Sequence, residues 1–333
     1  MAGSVVAGFS DAPSVGGTSR VPYGEVNIDK PRIPAEGRLE MAQDDEKVGQ
    51  VGPTGRPMPL FPVPDQLSSH GPAWILAMCN QKGGVGKTTS TINLGAALAE
   101  YGRRVLLVDF DPQGALSVGL GINPNQFELT VHDLLLGGGD THVNDVIIET
   151  QVDGLDLLPS NIDLSAGEVL LVSEVGREHS LARALTPVHD EYDVILVDCQ
   201  PSLGLLTVNA LTAAHAVIIP LECEYFALRG VALLLQTIDK VRERLNSRLD
   251  LAGILATMYD ARTLHAREVL ARVVERFPEE VFHTVINRTV RFPETTVAGE
   301  PITTYAPTSV GAAGYRRLAR ELMTRHARPP LVG

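Results

Sequence analysis

Asn80-Gln-Lys-Gly-Gly-Val-Gly-Lys-Thr-Thr89 is the stretch on which the fold of this chain turns. An ordinary phosphate-binding loop reads G-x-x-x-x-G-K-[ST]. Here Gly86, Lys87 and Thr88 supply its last three positions, Gln81 stands where the first glycine belongs, and Lys82 adds a second lysine at the loop's mouth. Upstream, Trp74-Ile-Leu-Ala-Met-Cys79 is an apolar run of strand length, and downstream Thr89 to Glu100 has helical periodicity. The loop therefore lies between a strand and a helix, as phosphate binding requires. Glycines 83, 84 and 86 let the backbone wrap closely around an anion, with N–H groups and the positive end of the helix facing it. The candidate nucleotide-binding residues are accordingly Gly83, Gly84, Val85, Gly86, Lys87, Thr88 and Thr89. Lys87 is expected to reach the β- and γ-phosphates of ATP, and Thr88 to hold Mg²⁺. The extra lysine, Lys82, suggests a nucleotide-dependent dimer.

Outward from the loop, apolar runs alternate with helical stretches. Strands are expected at 74–79, 104–109, 155–159, 193–198, 216–221, 253–259 and 282–286, and helices around 89–101, 203–214, 230–245, 265–277 and 311–326. Nearly continuous apolar strands separated by helices predict an α/β fold, a mostly parallel sheet with helices on both faces. With the phosphate loop it is a P-loop NTPase. The ordered domain is expected over residues 71–328. Residues 1–70 are rich in Gly, Pro and Ser with interspersed charge and no sustained period, and are expected to form a disordered, solvated tail.

In an open parallel sheet, ligands bind at the carboxyl ends of the strands. Two expected strands end there in aspartate. Asp193-Val-Ile-Leu-Val-Asp198 has the look of a Walker B strand, and Asp198 is expected to serve Mg²⁺ through water. In Val105-Leu-Leu-Val-Asp-Phe-Asp-Pro-Gln-Gly114, Asp111 can orient an attacking water and Asp109 is an additional candidate for the metal, while Pro112 and Gly114 shape the turn.

At 333 residues with 44% hydrophobic residues, the chain can bury a large core. No apolar run approaches the roughly 18 residues needed to cross a bilayer, and the first residues lack the basic start of a signal peptide, so a cytoplasmic protein is expected. Cys79, Cys199 and Cys223 show no paired spacing, which argues against zinc, disulfides or an iron–sulfur cluster. A net charge of −12 lowers the expectation of a dedicated nucleic-acid binder, but leaves room for a local basic patch.

The chain resembles the ParA/Soj chromosome- and plasmid-partitioning ATPases, within the ParA/MinD group that carries a deviant Walker A loop. The resemblance spans about residues 74–327 and rests on the loop quoted above, on Val108-Asp-Phe-Asp-Pro-Gln-Gly114, on Tyr192-Asp-Val-Ile-Leu-Val-Asp-Cys-Gln-Pro-Ser-Leu-Gly204, and on Pro220-Leu-Glu-Cys-Glu-Tyr-Phe-Ala-Leu-Arg-Gly230. It implies that Lys82 crosses to the nucleotide of a second subunit, that Asp111 supports water attack, and that Asp198 serves the magnesium. It also implies slow ATP hydrolysis stimulated by a ParB-like partner and DNA, and association with the nucleoid. Gln200 and Arg229 depart from the family's usual proline and glutamate, which bears on switch movement and surface contacts.

Non-specific DNA binding, which the resemblance assigns to the ATP dimer, has as candidates Arg288 and Arg291, with Arg262 and Arg267 and, on the last helix, Arg316, Arg317 and Arg320. There is no helix-turn-helix pattern in the tail. Membrane cycling is disfavoured, because the segment around Leu318 and Leu322 has few bulky apolar residues for lying on lipid. The serious rival keeps the ATP switch and changes its cargo, to a protein assembly or to condensin-type machinery.

Overall fold

A computed structural model describes residues 48–326 apart from 137–140 and Phe226. Seven strands form one sheet in the order β3-β4-β2-β5-β1-β6-β7. They are β1 (Trp74–Met78), β2 (Val105–Phe110), β3 (Ile148–Glu149), β4 (Leu155–Leu158), β5 (Val194–Cys199), β6 (Ala216–Glu222) and β7 (Asp250–Thr257). Every pairing is parallel except β3 with β4. The longer helices are α1 (Lys87–Glu100), α2 (Asp163–Leu171), α3 (Leu205–Ala213), α4 (Ala227–Arg244), α5 (Leu264–Arg276), α6 (Arg291–Ala298) and α7 (Val310–Arg325).

Side chains alternate across a strand, so each strand feeds two cores. From β1, Ile75 and Ala77 join Val231, Leu234, Ile238 and Val241 of α4 on one face, while Leu76 and Met78 join Ile92 and Leu98 of α1 and Tyr315 and Leu318 of α7 on the other. In α4 the buried residues recur at helical spacing, whereas α1 is buried nearly all round because it lies between the sheet and α7. Gly95 permits that approach: a Cβ there would stand 2.7 Å from Leu107.

Two expectations need correction. Residues 282–286 are not a strand. Their ends touch β7 through the amides of Phe282 and Ile286, but His283 and Thr284 donate theirs to the buried Glu321 carboxylate at 2.7 and 2.8 Å, which breaks the ladder. Residues 48–70 are not a free extension either. Arg56 donates to the carbonyls of Pro278 and Val281, Phe61 is buried, and Arg103 donates to the carbonyl of Asp65. This strap is held by side chains and carbonyls rather than by a repeating pattern, so periodicity could not reveal it. The expected tail over 1–47 lies outside the described residues. Among the described residues no helix is long and apolar enough to cross a membrane.

Candidate functional site

The loop after β1 is fixed from three sides. Asn80 Nδ2 donates to the carbonyl of Pro220 at 2.7 Å and its Oδ1 accepts from Lys82 N at 2.9 Å, while Thr257 Oγ1 donates to the carbonyl of Val85 at 2.8 Å. The ends of β6 and β7 therefore hold a segment that has no strand pairing of its own. Gly84 and Gly86 have φ of 72° and 81°, a left-handed conformation that costs a side-chain-bearing residue about 1 kcal/mol. Lys87, at 7% exposure, curls back so that Nζ lies 3.4 Å from the carbonyl of Lys82.

Register brings the magnesium candidates together. Met78 on β1 faces Asp198 on β5, and α1 starts above them. Thr88 Oγ1 donates to Asp198 Oδ2 at 2.6 Å, and Thr91 Oγ1 to Oδ1 at 3.3 Å. A hydroxyl and a carboxylate are hard oxygen donors that suit Mg²⁺. The open space over Gly84, where an added Cβ would meet nothing within 4 Å, suits a phosphate chain. Among the described residues the buried Nε2 of Gln81, within the loop itself, has no hydrogen-bond partner.

Asp109 pairs in register with Asp198 on the neighbouring strand. It is fully buried and accepts from Ser117 N at 2.9 Å and Ser117 Oγ at 2.8 Å, which ties β2 to the short helix Ala115–Gly119. Burial, and next the charge of Asp198, push its carboxyl up to about 8 against those hydrogen bonds. Burial pushes Asp198 up to about 7, with the hydrogen bond from Thr88 opposing. Asp111 is half-buried at the rim, where its Oδ1 accepts from Gln113 N at 3.0 Å.

Three residues escaped the sequence reading. Glu222 and Glu224 hold Lys82: its Nζ lies 3.1 Å from Glu222 Oε2 and also donates to Glu224. Burial pulls that ammonium down, but the hydrogen bonds it donates to Glu224 and Glu222 outweigh it and hold it above its ordinary value. Glu168 accepts from Gln200 Nε2 at 3.2 Å and from Leu206 N at 3.2 Å, so the departure at Gln200 links the loop after Asp198 to α2. Carboxylates at 222 and 224, ending a strand as Asp198 does, were a visible signal; Glu168 had none. Arg229 is exposed on α4.

Beside Gly86 and Thr89 a cavity of about 340 Å³ opens, walled by Met258, Ile286, Phe292 and Arg288. Met258 holds φ of 47°, a sparsely populated conformation for a side-chain-bearing residue, at the lip of that cavity.

The arginine candidates divide. Arg316, Arg317 and Arg320 are 1%, 8% and 3% exposed, which overturns their assignment to a DNA-binding face. Arg316 binds Glu100 through Nε at 2.7 Å and a second nitrogen at 3.0 Å, Arg317 stacks 5.5 Å from the Phe61 ring, and Arg320 donates to the Phe61 carbonyl. The reason is α7's position between α1 and the strap. Arg262, Arg267, Arg288 and Arg291 are exposed. Arg288 N donates to the carbonyl of Tyr259, which sets its segment beside the Asp260–Arg262 turn at the carboxyl end of β7.

Residues 73–251 match the AAA domain family. The chromosome-partitioning ATPase Soj of Treponema pallidum is 52% identical over 250 residues, 75% of this chain and 97% of its own. The sporulation initiation inhibitor protein Soj of Bacillus subtilis is 49% identical over 74% of this chain and 97% of its own length. A Mycobacterium smegmatis structure described as cobyrinic acid a,c-diamide synthase, with an ATP analog and magnesium bound, is 45% identical with a TM-score of 0.67, covering 77% of this chain and 96% of that one. With a phosphate loop, a Thr88–Asp198 pair beneath it and this similarity along the whole α/β domain, the chain belongs to the Soj/ParA family of chromosome-partitioning ATPases.

Proposed function

We propose that this protein is an ATP-driven dimerising switch that binds DNA non-specifically and acts in chromosome partitioning. The observation that carries the reading is the Thr88 hydroxyl 2.6 Å from Asp198, under a loop whose mouth carries both Lys87 and Lys82. ATP fits with its phosphates along 83–88 and its base in the cavity beside Thr89. Thr88, and Asp198 through water, would hold Mg²⁺, which when bound neutralises charge on the β- and γ-phosphate oxygens. Lys87 steadies the phosphates. Asp111, free on one carboxylate side at the rim, orients the attacking water. Lys82 leaves its own subunit to reach the nucleotide of a second one, so that the dimer depends on the γ-phosphate and dissolves after hydrolysis. A ligand that binds the two states unequally is the requirement for such a switch. Hydrolysis is slow, and a ParB-like partner with DNA accelerates it.

Arg262, Arg267, Arg288 and Arg291 supply the basic face, doubled by dimer symmetry on a chain whose net charge is −12. Nucleoid association in the cytoplasm follows from that face.

The test measures mass in solution and DNA affinity with ATP, ADP and no nucleotide. A salt-sensitive, DNA-bound dimer with ATP alone is expected; an ATP dimer without DNA affinity would turn the reading toward a protein-cargo switch. Lys82→Ala is expected to retain nucleotide binding and to lose the ATP dimer, and a variant that dimerised as the parent does would refute the exchange of lysines.

A further inference from the structure

Lys82 is not waiting in solvent. Its Nζ is bound by two carboxylates of its own chain, Glu222 at the end of β6 and Glu224 two residues on. The Glu222 side chain is only 15% exposed, and its other oxygen accepts from Arg288 at 2.9 Å. One carboxylate thus joins the lysine at the phosphate end of the site to the arginine that walls the cavity beside Thr89. The alternation of charge is Glu224, Lys82, Glu222, Arg288, each member paired with the next.

We infer that Glu222, with Glu224, is an intramolecular competitor for Lys82: a positioning residue that holds the lysine within its own subunit and so sets how readily two ATP-loaded subunits pair. The inference rests on the proposed exchange of Lys82 between subunits. A lysine cannot serve its own carboxylates and a neighbour's phosphates at once, so each dimer opens two such latches. The pairs are exposed enough for solvent and salt to weaken them, Lys82 being 48% exposed, so each latch is modest. Opening one costs about threefold in equilibrium, and opening both about tenfold. Release of Lys82 also leaves Glu222 with Arg288 alone and removes the repulsion between the two cations, which draws Arg288 more firmly to the cavity wall.

The experiment uses the full chain carrying Glu222→Gln and Glu224→Gln, which keep side-chain shape and remove charge. Sedimentation equilibrium with saturating ATP and magnesium gives the dimer dissociation constant at low and high salt. The expected result is pairing about tenfold tighter than the parent at low salt, shrinking toward parity at about 0.5 M salt. Nucleotide affinity is read separately, by a fluorescent ATP analogue in a Lys82→Ala background, so that any effect of the two glutamine substitutions on the cavity walled by Arg288 is divided out of the dimer constant. Unchanged or weaker pairing overturns the latch, and so does a gain that persists undiminished at high salt, since that would report a structural effect. Lys82→Ala alone separates the two levels: if it still dimerises, the exchange of lysines fails; if it does not, and the glutamine variant pairs no tighter, only the latch fails.

Discussion

Two carboxylates in register on adjacent strands, Asp109 and Asp198, set the pH behaviour of the site. The folded Asp109 keeps its proton up to about 8, whereas in the unfolded chain it ionises near its ordinary value of 3.8. Between those values the native state binds a proton that the unfolded state has lost, so stability falls as pH rises across that window and levels off above it. Asp198 acts with the same sign up to about 7. For the nucleotide- and metal-free protein, Asp109→Asn should therefore flatten the decline in unfolding free energy between pH 5 and pH 8, measured by urea titration; an unchanged slope would remove Asp109 from the account. At the hydroxyl paired with Asp198, Thr88→Ala should lower ATP hydrolysis by roughly 100-fold while leaving the fold intact, since it removes a metal-side oxygen and no core volume. Single-turnover kinetics at saturating magnesium would check it. Asp111→Ala should leave the ATP dimer formed and stop its disassembly, which sedimentation over time would follow.

Among the elements, α7 decides how the arginines divide. Its basic residues Arg316, Arg317 and Arg320 look in sequence like those of a solvated helix, yet they face α1 and the strap of residues 48–70. Arg316 forms a two-toothed ion pair with Glu100, the last residue of α1, and is 1% exposed. Breaking a buried pair by removing one partner typically costs about 3 kcal/mol or more, because the other charge is left behind. Arg316→Ala is thus expected to lower the unfolding free energy by that amount, read as a fall in the urea midpoint at unchanged m, and any loss of DNA binding should track loss of fold. A stable Arg316→Ala protein with impaired DNA binding would return that residue to the binding face. Residues 48–70 escaped a reading based on periodicity because Arg56 and Phe61 act as isolated anchors in a stretch interrupted by prolines.

At the scale of the whole molecule, the net charge of −12 and the proposed affinity for DNA are reconciled by placement. Arg262 and Arg288 lie where the Asp260–Arg262 turn meets the Arg288 segment at one end of the sheet, and Arg267 follows in the first turn of α5. Each phosphate contact contributes about 0.9 to the slope of log affinity against log salt, and a symmetric dimer counts each arginine twice. Arg267→Ala should therefore reduce that slope by about 2 in the ATP state, measured by fluorescence anisotropy on duplexes of unrelated sequence; an unaltered slope would place the DNA elsewhere.

The sequence by itself determined the α/β class, the position of the phosphate loop between strand and helix, and the carboxylates at strand ends, because those features are local: periodicity, glycine conformational freedom and short spacings act within a few residues. Six of its seven expected strands form. The seventh, 282–286, was lost to the carboxylate of Glu321, which lies far along the chain. Only the tertiary structure could decide which arginines are buried, that Gln200 leans on Glu168, and that Lys82 is held by Glu222 and Glu224. Each of those depends on which distant segments share a boundary, and a side chain's charge does not report whether its neighbour in space is water, a helix or a carboxylate on the next strand.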